Sequence, residues 1–254
     1  MPTSTSYRIL GGIAAGIAAF ALIMVLTGDE GSRDLFRGAF VLLVIVGGMW
    51  WLVYRFRILP RRESFAGQAQ ALGLHAEEGD PQGVGRQGFA LFRWSASAGD
   101  IENTAQGVRG GIDITIADHW FVPSGLTRRE AERSTCVLTP APAGWPDLSV
   151  VPERLAARLR STFALPDVRT ESDAFNRRFE VRSDDRRFAL ALLDARMMEW
   201  LLEQLPGIGF EVLGGTLMVF RPRTSASYDD LGKAVELLER LLEQVPRVTR
   251  AEHG

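Results

Sequence analysis

Cys136, His119 and Asp118 are the residue types of a nucleophilic centre: a thiol, an imidazole to take its proton and a carboxylate to orient the imidazole. Their surroundings favour a plainer role. Cys136 shares strand parity with Leu138, as a small buried side chain would, and His119 adjoins Trp120 and Phe121 near the end of an apolar run. Gly83, Gly85 and Gly88 match the dinucleotide fingerprint by letter, but that motif needs a strand before the glycines and a helix N-terminus after them to hold a pyrophosphate. The residues that follow, Phe89 to Trp94, read as a strand, so the glycines are expected to form a flexible connection. His75, His119 and His253 are widely spaced, and the chain has neither an HExxH motif nor a pair of cysteines. No metal, cofactor or catalytic set is assigned.

The densest basic cluster is Arg177, Arg178, Arg182, Arg186 and Arg187, a pattern that could receive an anionic head group or nucleic acid. Glu180, Asp184 and Asp185 interleave it, which describes a solvated and locally neutralised surface. A formal net charge of -2 gives no global attraction for nucleic acid, and none is expected as a partner. The 46% apolar and 24% charged content is that of a folded chain. A single cysteine excludes an internal disulfide framework, and Lys233 as the sole lysine suggests a GC-rich bacterial source.

The elements that would position these residues begin with two apolar runs. About twenty uncharged residues from Ile9 to Gly28, and about seventeen from Gly38 to Tyr54, predict two transmembrane helices near 9–28 and 38–55. The first run exceeds a signal-peptide core and lacks a small-x-small cleavage site, so it reads as retained. Arg8 before the first run and Arg55, Arg57, Arg61 and Arg62 after the second predict cytoplasmic termini and a multi-pass protein of the bacterial inner membrane. The same four arginines would contact lipid head groups, which makes the bilayer one expected partner. Gly12 and Gly16 could bring two helices together, either in a homo-oligomer or within one chain.

Residues 63–254 are expected to form one cytoplasmic α+β domain with a mainly antiparallel sheet and two or three packed helices, after an anchor over residues 1–62. A short helix is predicted over Ser64–Leu74 and a loop over Gly79–Gly88. Strands are predicted at Phe89–Trp94, Gly110–Val122, Ser134–Leu138, Leu148–Val151 and Phe175–Val181. Helices are predicted from Pro152-Glu153 to about Phe163, from the Ser183-Asp184-Asp185 cap to about Leu205, and from Tyr228 to Gln244. Gly214-Gly215 between Phe210–Leu213 and Thr216–Phe220 predicts a hairpin. The closing stripe Leu231, Val235, Leu238, Leu242 and Val245 is too short for a coiled coil and predicts a core face.

The stretch from Ser172 to Gly215, with Asp173-Ala174-Phe175-Asn176-Arg177-Arg178-Phe179-Glu180-Val181, Met197-Met198 and the Gly214-Gly215 turn, resembles a group of uncharacterised bacterial membrane proteins. That resemblance implies an N-terminal pair of spans and an α+β domain of unknown function, and it carries no catalytic residues across. The expected function is a non-enzymatic interaction, scaffold or sensing module that engages a protein partner or ligand through the folded domain. The alternative is an enzyme with a membrane-proximal substrate, resting on Asp113, Asp118, His119 or Cys136.

Overall fold

The computed structural model describes residues 12, 16, 30–53, 55, 59–93, 101–121, 132–159, 165–204, 207–223 and 231–246. The chain divides into two units, Met1–Ser64 and Phe65–Gly254.

In the first unit helix α1 runs over Glu30–Val53. Among the described residues no helix is long and apolar enough to cross a membrane, which overturns the expected two-span anchor and the multi-pass, inner-membrane placement built on it. The second apolar run belongs to a helix that already contains Glu30, Arg33, Asp34 and Arg37, and only sixteen residues, Gly38 to Val53, remain uncharged within it. At 1.5 Å per residue these reach roughly 24 Å, short of a hydrocarbon core of about 30 Å. The first apolar run lies outside the described residues except for Gly12 and Gly16, which are helical and exposed. Arg55 is exposed, Arg61 and Arg62 belong to the next helix, and Arg57 lies outside the described residues.

The second unit is built on one eight-stranded sheet. Its strands are β1 (His75–Glu78), β2 (Ile101–Arg109), β3 (Ile112–Phe121), β4 (Glu132–Pro140), β5 (Leu148–Pro152), β6 (Phe179–Ser183), β7 (Gly209–Leu213) and β8 (Thr216–Arg223). The order β1-β2-β3-β4-β8-β7-β5-β6 is antiparallel at every step. A meander of four strands therefore receives the β7-β8 hairpin beside β4, and β5 and β6 complete the far edge. Gly214 and Gly215 take φ of 55° and 77°, the left-handed pair that a two-residue hairpin turn requires, and Asp147 Oδ1 accepts the Gly214 N–H at 2.9 Å.

The helices are α2 (Leu59–Ala71), α3 (Ala90–Arg93), α4 (Glu153–Leu159), α5 (Asp173–Asn176), α6 (Arg186–Leu192), α7 (Ala195–Glu203) and α8 (Leu231–Gln244). Phe65 and Ala69 of α2, Phe188 and Leu192 of α6, Met197 and Leu201 of α7, and Leu231, Val235, Leu238 and Leu241 of α8 bury one sheet face. Val84, the α3 segment and Leu155 and Ala156 of α4 cover the other, against Ala117, Cys136, Met218 and Phe220. On that second face Phe220 lies over Gly209, directly across the hairpin, and a Cβ at Gly209 would collide with the ring.

Three predicted elements differ. Phe89–Trp94 contains helix α3, not a strand. The long helix after Ser183 is two, because the Asp194 carboxylate accepts the Met197 N–H at 2.8 Å and starts α7 afresh after Leu193. The strand predicted at Phe175 starts at Phe179, because Ser172 caps α5 by accepting the Phe175 N–H at 3.2 Å.

Candidate functional site

Successive residues of a strand face opposite sides of a sheet, and this rule takes the cysteine-centred set apart. Ala117, His119 and Cys136 lie on the second face, and the Phe92 ring packs on His119 at 5.1 Å. Asp118 is directed to the first face, with Ile114 and Ile116, so its carboxylate cannot orient the neighbouring imidazole. All three are buried. Burial lowers the His119 pKa to about 3, so the ring is neutral across physiological pH. Asp113 is exposed near the tip of the β2-β3 hairpin, away from the other three.

The glycine loop is likewise committed to its own structure. The Val84 and Gly85 N–H groups, which in a nucleotide loop would face phosphate, donate to the Asp80 carboxylate at 2.7 and 2.9 Å. A four-residue helix follows where a strand was expected. For metals, His75 is an exposed residue of β1, His119 is buried and His253 lies outside the described residues. Among the described residues no group of three His, Cys, Asp or Glu side chains could hold an ion.

A buried polar pair escaped the sequence reading. Glu211 in β7 and Ser149 in β5 are directly paired and share the second face. Glu211 Oε2 accepts the Ala90 N–H at 3.0 Å, while Glu211 Oε1 and Ser149 Oγ are buried without a hydrogen-bond partner among the described residues. Desolvation raises the Glu211 pKa to about 7, against the opposing pull of the Ala90 and Leu91 N–H groups. This pair lies under packed side chains and is a strain on the core, not an accessible site.

An accessible pocket of about 330 Å³ among the described residues lies at the β6 edge, lined by Glu153, Asp167, Val168, Arg169, Asn176, Arg177, Phe179, Glu180 and Val181. Its size falls at the lower end of ligand-binding cavities. Local wiring builds its walls. The Val168 N–H donates to Val181 O at 2.8 Å and the Ser183 N–H to Pro166 O at 3.1 Å, so the segment entering the pocket is tied along the outer side of β6. Asn176 then closes the loop on itself: Oδ1 accepts from the Thr170 N–H and hydroxyl at 3.0 and 2.9 Å, and Nδ2 donates to Thr170 O at 2.8 Å. The Phe175 and Phe179 rings stack at 4.8 Å and fix α5 to β6. Searches of family models, curated proteins and solved structures find no match to this chain. The geometry alone therefore directs attention to this pocket.

Of the basic cluster seen in the sequence, Arg182 is neutralised as expected, its Nε donating to Glu180 Oε1 at 2.6 Å and one terminal nitrogen to Leu165 O at 3.1 Å. Arg177 instead lines the pocket, exposed. Arg169 and Asp167, which complete the rim with it, were not singled out from sequence. The signal for them was present in Thr170-Glu171-Ser172-Asp173, a cluster of side chains that bond local backbone and build loops.

Proposed function

We propose that the α+β unit is a sensing and interaction module that binds a small polar ligand in the β6-edge pocket and does not turn it over. The observation that carries this reading is the pre-built wall: three hydrogen bonds between Asn176 and Thr170 hold the rim loop in shape before any ligand arrives. A loop ordered in advance loses little conformational freedom on binding. Asp118 and His119 are directed to opposite faces of the sheet and neither lines the pocket, which further favours binding over acid-base catalysis there.

The test is a thermal-shift screen of the purified full-length chain against a panel of small polar metabolites, with hydrogen exchange used to map every stabilising compound. Protection confined to Thr170–Asn176 and Phe179–Ser183 supports the proposal. A panel with no stabilising compound, or protection elsewhere only, refutes it.

A further inference from the structure

Building on the reading of the pocket as a binding site, we infer that its ligand carries a compact oxyanion, a carboxylate or a phosphate, read by Arg169 and Arg177. Five charged side chains line this small pocket, and they are not equally available. Glu180 is taken by Arg182, and Glu153 is also partnered. Arg169, Arg177 and Asp167 have side chains that make no hydrogen bond or ion pair among the described residues. Two uncommitted guanidinium groups line one cavity, and both attract a bound anion. Each guanidinium is a planar fork of donors that matches an oxyanion in bidentate fashion, which a single point charge would not.

Size and flooring narrow the ligand further. Val168, Phe179 and Val181 are buried and supply an apolar base, while the rim is polar. A cavity of about 330 Å³ suits a metabolite with a short carbon skeleton better than a polymer segment. Asp167 is the remaining uncommitted acceptor. It calls for a donor on the same ligand, a hydroxyl or an ammonium, so the complete occupant is a small oxyanion that also offers a hydrogen-bond donor.

The full-length chain is titrated with inorganic phosphate, with succinate and with glycerol at constant ionic strength, following heat release and hydrogen exchange at Thr170–Asn176. The expected result is saturable binding of phosphate or succinate in roughly the millimolar range and none of glycerol. Which anion saturates separates the phosphate from the carboxylate form of the ligand. In the Arg169→Gln, Arg177→Gln double variant binding weakens at least tenfold, while circular dichroism stays unchanged because both side chains are exposed. Equal affinity in the double variant, or no saturation with either anion, overturns the inference. If both anions fail while an uncharged or cationic metabolite from the wider panel protects the pocket, the binding reading stands and the oxyanion is wrong. If nothing protects it, both fall.

Discussion

Replacing Glu211 by Gln should stabilise the protein, and by an amount that grows with pH. Glu211 titrates near 7 in the folded chain and near 4.5 when unfolded, because burial disfavours its charge. Below 4.5 the carboxyl is neutral in both states and costs nothing. As pH rises from 4.5 to 7 the unfolded chain releases its proton first, and folding becomes progressively less favourable. The shift corresponds to about 3 kcal/mol, complete just above pH 7. Glutamine keeps an oxygen for the Ala90 N–H and adds donors that can meet Ser149 Oγ, but it has no charge to bury. Urea unfolding of both proteins at pH 4, 6 and 8 measures the difference. It should be small at pH 4, about 2 kcal/mol at pH 6 and about 3 kcal/mol at pH 8, in favour of the variant. His119 works in the opposite direction: its folded pKa of about 3 means that stability is present above pH 6.5 and lost as pH falls toward 3. Since both proteins contain His119, its effect cancels in the comparison. A difference that stays flat across this range would refute the burial argument.

Gly209→Ala should cost about 2 kcal/mol in chemical denaturation, because the added methyl must displace the Phe220 ring from a packed sheet face. Asn176→Ala removes all three bonds to Thr170, and faster hydrogen exchange at the Thr170 amide, with a loss of about 2 kcal/mol, is expected. Asp167→Asn deletes a negative charge from the pocket rim and should tighten inorganic phosphate binding about threefold by calorimetry, since the carboxylate repels a bare anion.

What the sequence disclosed followed the strength of local signals. The Gly214-Gly215 turn needs left-handed backbone at both positions, so a hairpin there was legible from two letters, and α8 was legible because its apolar stripe repeats at helical spacing. β1 and β2 were not seen: Glu77, Glu78, Glu102, Asn103, Thr104 and Gln106 give no apolar alternation, and pairing of β2 with β3, and of β1 with β2, makes these segments strands. The break between α6 and α7 lay within an unbroken apolar pattern, where periodicity outweighed the capping power of Asp194. Counting the uncharged run after Gly38 without the charged turns of its own helix produced the expectation of a second span. Glu211 was passed over because alternation assigns it to a wet face, and segments far away in sequence, Val84, α3 and α4, make that face a buried one. Arg177 was seen as one of five arginines; Arg182 lies within β6 beside Glu180 and is neutralised by it, whereas Arg177 ends α5 before β6 begins.

The placement of the pocket follows from the same construction. Both faces of this sheet are covered, so an ionised group placed there must either find partners or lose its charge, as His119 does and as Glu211 does below pH 7. Uncommitted charge can persist only where water reaches it, and beyond β6 the sheet ends in the Pro166–Val168 segment, tied to it by two backbone bonds. The loop from Thr170 to Asn176 is held by its own side chains and by Phe175, which is buried in the core, while Arg169 and Arg177 on either side of it are exposed. Substitutions of Arg169 or Arg177 should therefore alter what binds without altering how the sheet folds, whereas changes at Glu211, Gly209 or His119 should alter folding and leave the pocket's selectivity intact. This division is what a recognition module requires, since ligand choice and core stability can then vary independently.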